Sequence, residues 1–166
     1  MSTSALAATT DDDLSPSQRE RRLRMLEAAR ALAAKGGFDG VQMRDVADRA
    51  DVALGTLYRY FPSKVHLLVA LMHHETRGLT DRLERRPVEG ATAADRVVAV
   101  LTRGVQGLQR DPSLAEAMTR ALMFADASAA ADVHAVTELT TAAVIRAMHG
   151  PDREPTDDDH AIARVL

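Results

Sequence analysis

Two helical patterns too short to stand alone, close together in the chain, constrain this sequence most. From about Gln42 to Ala50, Met43, Val46 and Ala47 recur at i, i+3 and i+4. From about Gly55 to Phe61 a second run of barely two turns follows, and Pro62 forbids its continuation. Isolated helices shorter than about 12 residues are marginal in water, so both must be held by packing on each other and on something longer. The break between them, starting at Asp51, leaves room only for a tight turn. Asp51 stands where the chain must leave the first of the two, a place that favours a left-handed backbone. Glycine takes that conformation most easily, and aspartate is among the few other residues that tolerate it.

Helical periodicity, punctuated by caps and prolines, fills most of the remaining chain. Ser15-Pro16-Ser17-Gln18 combines an N-cap serine, proline at the first helical position and glutamine three residues on. The helix it opens sets Met25, Leu26, Ala29, Leu32 and Ala33 on one face and stops at Gly36-Gly37. Ser63 caps a long fourth helix, striped by Leu68, Leu71, Met72, Leu79 and Leu83, that runs to about Arg86 before Pro87. Thr92 to Asp95 opens a fifth helix to about Arg110, and Asp111-Pro112 a sixth to about Ala125. A seventh, from about Ser128 to His149, repeats Val133, Val136, Thr140 and Val144 and ends at Gly150-Pro151. Thr156-Asp157-Asp158-Asp159 caps an eighth, with Ile162, Val165 and Leu166 on one stripe. Residues 1–14 have the composition of a disordered tail. No run alternates like a strand or carries a hairpin dipeptide, so the expected class is all-α, without internal repeats.

Several chemistries are excluded at this level. With no cysteine, the chain has no disulfide framework, thiolate metal site or cysteine nucleophile. No stretch approaches the ~20 apolar residues of a membrane span, and the N-terminus lacks the basic-then-apolar order of a signal peptide, which predicts a cytoplasmic protein. His73 and His74 are adjacent and diverge on a helix, while His66 and His73 stand too far apart to share a metal ion. No catalytic constellation or phosphate-binding glycine loop presents itself, so no catalytic residue, metal or cofactor is expected and the chain does not read as an enzyme.

Charge and aromatic residues are both segregated. The whole chain carries a net −3, yet residues 15–64 hold ten Lys/Arg against six Asp/Glu, a net +4. A basic N-terminal third joined to an acidic remainder suits a nucleic-acid module with a separate second function, although solvated helix faces show such imbalances too. Four of the five aromatics, Phe38, Tyr58, Tyr60 and Phe61, fall within one short window; the fifth is Phe124. Phe38 and Phe61 read as core. Tyr58 and Tyr60 are i and i+2 on one helix and point apart, so a core role for both is difficult.

Two short helices joined by a tight turn, with a longer helix behind them, form a helix-turn-helix, whose second helix enters the DNA major groove. The run from Val41, VQMRDVADRADVALGTLYRYFPSKVHLL, resembles the signature of the TetR-type one-component regulators, and the GTLYRYFPSK core is specific to that family. Gly36-Gly37-Phe38, Glu116 to Arg120 and Phe124 to Ser128 add a likeness to the actinobacterial repressors of sterol-catabolism genes within it. The resemblance implies a DNA-binding domain over residues 15–62, extending into helix four to about residue 81, and a helical regulatory domain over 63–166. It implies that Arg44 reads a base edge, most suitably guanine, whose O6 and N7 accept a bidentate guanidinium. Leu54 and Thr56 would meet bases, with thymine methyl contact, while Gly55 lets the backbone approach closely. Tyr58 and Tyr60 match positions that reach phosphate or thymine, and Lys64 would add a point charge for a phosphate. Arg59 is either a solvated residue or a DNA contact, and the motif favours the contact. Arg19, Arg21, Arg22 and Arg24 fit a solvated face and a basic arm beside DNA equally well. Two departures stand out: Val41-Gln42 and Ala53 occupy places where the family usually has hydroxyl side chains that contact phosphate.

The second half is less specific. Met118, Leu122, Met123, Phe124, Val144 and Met148 fit ordinary core packing first and an apolar effector pocket second. The resemblance implies a homodimer on a double-stranded DNA operator and a bulky, steroid-like effector, a sterol-derived CoA thioester, with no membrane partner. Effector binding would shift the population away from the arrangement that fits successive major grooves. A helical ligand-binding or interaction protein that keeps the fold but no longer binds DNA is the alternative. Because the last apolar stripe runs to Leu166 without a cap, the sequence also predicts a regulatory domain incomplete at the C-terminus, with a depleted dimer interface and an exposed apolar face on helix seven or eight.

Overall fold

A computed structural model of the chain describes residues 14–149 and, beyond them, Thr156, Asp158 and Ala161. Every regular element among these residues is a helix: α1 (Pro16–Gly40), α2 (Met43–Arg49), α3 (Leu54–Tyr60), α4 (Lys64–Arg85), α5 (Ala93–Arg110), α6 (Pro112–Met123) and α7 (Ala130–His149), with a 3-10 turn at Ala127–Ala129. The all-α expectation therefore holds. The eighth helix expected from Thr156 lies outside the described residues except for Thr156, Asp158 and Ala161, and of the tail expected over 1–14 only Leu14 is described. Leu14, counted with that tail, is buried instead. It sits one residue before the N-cap, where an apolar side chain fixes the entry of the chain into a helix.

The capping signals act as their chemistry requires. The Ser15 hydroxyl accepts from the Gln18 N–H at 3.3 Å. In return the Ser15 N–H donates to the Gln18 side chain at 2.8 Å. At the other end of α1, Gly36 and Gly37 leave helical geometry, Gly37 with φ 61°, before one further turn closes at Gly40. Asp111 caps α6 by accepting from the Leu114 N–H at 3.0 Å.

The helices gather into two compact units. One comprises the described residues up to Met72 together with Asp111–Val133, so α1, α2, α3, the start of α4 and α6 share a core. Met25 and Leu26 of α1, Val46 of α2, Leu57 of α3 and Leu67, Leu68 and Leu71 of α4 are fully buried there. The other unit comprises His73–Arg110 and the residues from His134 onward. Its small core joins Val144 and Ile145 of α7 to Val97 of α5 and Met148. On α5, Val98, Leu101, Val105 and Leu108 face solvent, whereas the apolar face expected on helix seven or eight falls in part on residues outside those described.

Candidate nucleic-acid interface

The turn between α2 and α3 is built by backbone geometry. Asp51 takes φ 54°, the left-handed conformation its position called for. That reversal lets the Val52 N–H reach back to the Ala47 carbonyl at 3.0 Å and closes α2. Ala53 then opens α3, its carbonyl accepting from Thr56 at 2.8 Å and from Leu57 at 3.1 Å. Neither Gln42 nor Ala53, the two departures from the hydroxyl pattern, supplies a side-chain cap to its helix. Gln42 donates to the Asp39 carbonyl at 2.9 Å instead.

α3 buries one face and offers the other. Leu57 and Tyr60 are inside, while Gly55, Tyr58 and Arg59 are exposed and Leu54 and Thr56 half-buried. Arg44 of α2 is exposed as well. Arg44, Tyr58 and Arg59 have no hydrogen bond or ion pair with any described residue, so their polar ends are available to an external partner. A Cβ at Gly55 would meet nothing within 4 Å, so no neighbour in the fold demands a glycine there.

Two of the expected contact residues already have partners inside the fold. Tyr60 is only 7% exposed against 46% for Tyr58. Being two residues apart on a helix, the tyrosines divide between core and surface, and Tyr60 packs at 6.3 Å from the Phe61 ring. Lys64 is half-buried and spends one of its three donors within the fold. Its ammonium donates to the Phe38 carbonyl at 3.1 Å and lies 4.1 Å from the centroid of the Phe38 ring. The basic residues of α1 left open by the sequence are partly resolved too. Arg24 Nε donates to the Ala50 carbonyl at 3.3 Å, satisfying the end of α2, and the Arg22 guanidinium covers the Phe61 ring at 5.5 Å.

The corner that follows α1 is held by α6. Glu116 Oε2 accepts from the Phe38 N–H at 2.8 Å. Arg120 bonds Asp39 at 2.8 Å and Glu116 at 3.1 Å while lying over the Phe38 ring at 4.7 Å. The hydrogen bond from Arg120 holds the Asp39 carboxyl below its ordinary range, and the same contact raises Arg120. A second tie joins α4 to the segment after α6. His66 is buried, with Nδ1 at 2.9 Å from Ser63 Oγ and Nε2 at 3.3 Å from Ser128 Oγ. Ser128 in turn donates to Asp126, whose carboxyl these bonds lower. Ser128 gives its one proton to Asp126, so His66 is the donor at Nε2. Neither tie was assigned from the sequence; the i, i+4 spacing of Glu116 and Arg120 and the Gly36-Gly37 break were its only signals.

Residues 25–71 match the bacterial regulatory proteins of the tetR family, and residues 90–166 match the tetracyclin repressor-like C-terminal domain. The HTH-type transcriptional repressor KstR of Rhodococcus jostii is 53% identical over 99% of this chain and 76% of its own length. The chain belongs to the TetR family. It is a DNA-binding transcriptional repressor of the TetR type, and that family consists of regulators rather than enzymes. A TetR regulator from Rhodococcus sp. RHA1, 38% identical, superposes with a TM-score of 0.81 over 90% of this chain and 79% of that one. FadR from Bacillus subtilis, solved with stearoyl-CoA, shares the fold at 23% identity and a TM-score of 0.58, covering 86% and 78% of the two chains.

The residues named for an effector pocket in this TetR-family chain differ in burial and in the unit they belong to. Met123 is 76% and Phe124 57% exposed, because α6 ends at Met123 and both side chains turn outward. Phe124 packs against Phe38 in a tilted arrangement, with ring centroids 5.5 Å apart. Met118 is buried and Leu122 half-buried in the unit that holds α1 to α3. Val144 and Met148 pack with Val97 in the core of the other unit. The six are thus divided between the two units. A cavity of about 360 Å³ lies elsewhere in that second unit, between α4, α5 and α7, with Leu83, Val88, Val100, Leu139, Ala142 and Ala143 in its wall. Thr80, Glu84, Arg96 and Arg146 supply its polar groups. Among the described residues no group of side chains could hold a metal ion, and no helix is long and apolar enough to cross a membrane.

Proposed function

We propose that this repressor acts as a homodimer on a two-fold operator, controls genes of sterol or related lipid catabolism, and is released by an apolar effector carried as a CoA thioester. Residues 15–62, extending into helix four, would make the DNA contacts, and 63–166 would sense the ligand. The observation that carries the DNA side is the face of α2 and α3. Arg44, Tyr58 and Arg59 stand exposed and unpartnered over the buried Leu57 and Tyr60. Arg44 would read guanine, and Leu54 and Thr56 would meet thymine methyls. Gly55 would let the backbone close on the groove, and Tyr58 and Arg59 would hold phosphates. Support for the effector class comes from the 53% identity to KstR, the likeness to sterol-catabolism repressors in the motifs, and a cavity walled by aliphatic side chains.

Ligand and DNA are linked through differential affinity, since an effector shifts the equilibrium only as far as it prefers one arrangement. The test is fluorescence anisotropy on an operator-bearing duplex, paired with thermal melting. A sterol-derived CoA thioester should raise the melting temperature and release the duplex together. Stabilisation of a chain that binds no duplex would instead show a ligand-binding protein that has lost its DNA function.

A further inference from the structure

We propose that Arg146 at the cavity of the second unit reads an anionic group on the ligand, taking it in exchange for Glu84. The inference rests on the reading that this unit senses an effector, and it names the ligand as an amphiphile with an acidic end. Two arginines touch the cavity, and they differ in what their donors already do. Arg96 is committed. Its Nε donates to the Ala147 carbonyl at 2.8 Å and its Nη2 to the Met148 carbonyl at 2.9 Å. Its Nη1 reaches the Gly90 carbonyl at 3.4 Å. It thereby caps carbonyls at the C-terminal end of α7, which a cation suits.

Arg146 has a single partner among the described residues, Glu84, engaged through Nη1. A guanidinium carries five N–H donors, so most of its fork is unused by the described residues. Both members of the pair are about half exposed, and exposed pairs hold together weakly. An incoming carboxylate or phosphate can replace Glu84 and be held by two parallel hydrogen bonds. Apart from Thr80 and Arg96 the rest of the cavity wall is apolar, with Leu83, Val100 and Leu139 among its residues. At about 360 Å³ it lies near the lower end of ligand sites, roughly 300–1,000 Å³. It takes an apolar body, and the half-exposed Arg146 in its lining can meet a polar head that reaches solvent.

The test is calorimetric titration of the whole chain with three probes: stearoyl-CoA, cholate below its micellar concentration, and the uncharged steroid progesterone. In Arg146→Gln, affinity for both anions should fall at least tenfold while progesterone binding is unchanged. Glu84→Gln should bind the anions several-fold tighter, because their competitor is gone; it also keeps the proposal testable if the arginine variant fails to fold. A response to stearoyl-CoA but not cholate would assign the contact to phosphate rather than carboxylate, and both support an anion site. Equal loss for all three probes, unchanged anion affinity in either variant, or no anion binding by the wild type would overturn it. Duplex release measured alongside separates the two readings. Anion binding through Arg146 without release leaves this site standing and refutes the effector mechanism.

Discussion

The neighbouring glycines after α1 should respond to the same substitution in opposite ways. Gly37 has φ 61° and ψ −157°, a region essentially closed to other residues, whereas Gly36 at φ −140° and ψ 16° is not in a left-handed conformation. A Cβ on Gly37 would lie 2.5 Å from Glu116 Oε2, while one on Gly36 meets nothing within 4 Å. The Glu116 carboxylate can swing aside, but only by giving up the Phe38 N–H that it accepts at 2.8 Å. Backbone strain of about 1–3 kcal/mol and the loss of a charge-assisted hydrogen bond, about 1.5–3 kcal/mol, then act together. Gly37→Ala should therefore lose roughly 3–5 kcal/mol, which for a chain of this size lowers the melting temperature by on the order of 10 °C. Gly36→Ala should change stability by less than about 1 kcal/mol. Thermal melting by circular dichroism compares them directly, and Glu116→Ala completes a cycle. Gly37→Ala and Glu116→Ala share the lost hydrogen bond, so the double variant should fall short of the added single effects. Equal melting temperatures for the two glycine variants would refute the corner as described.

Further outcomes follow from the same contacts. Arg44→Ala should relax base preference by about 1–3 kcal/mol at one position, and Tyr58→Ala should weaken binding on all sequences without moving the melting temperature; both are read by competition between duplexes. Lys64→Ala should lower the melting temperature, because it removes the bond to the Phe38 carbonyl and the cation on its ring, while leaving the salt dependence of DNA binding unchanged. Asp39 has a folded pKa held below its ordinary 3.8 by Arg120, so its contribution is present above that value and is lost as pH falls through the lower one. Acid titrations of the wild type and Asp39→Asn should accordingly differ near neutral pH and converge in strong acid.

What was legible in the sequence was local. Ser15 and Gln18 form the capping box their spacing announced, Asp51 adopts the left-handed turn, and the Gly36-Gly37 pair marks where α1 breaks. These depend on neighbours three or four residues away. Tyr58 and Tyr60 show the limit: the i, i+2 spacing required them to part, but only packing decided that Tyr60 is the buried one. For Lys64 the motif suggests a phosphate and for Arg24 it leaves a solvated face and a basic arm equally open, while the partners they have in the fold, Phe38 and Ala50, are 26 residues away. The cavity was hidden for a related reason. Its wall uses alanines and half-exposed charged residues of α4, α5 and α7, whereas the large side chains Met123 and Phe124, which drew attention, lie at the end of α6 and face outward. A side chain's size and polarity indicate its preference for burial, but not which of two units it joins.

Selection of bound sequences from a random duplex pool tests most directly that the α2–α3 face of this TetR-family chain reads DNA. The wild type should enrich a two-fold sequence with half-sites about 34–36 Å apart, and Arg44→Ala should lose preference at one symmetric pair of positions in it. Enrichment of no sequence, or of one that Arg44→Ala and Thr56→Ala both leave unaltered, would contradict the assignment of that face as the reading surface.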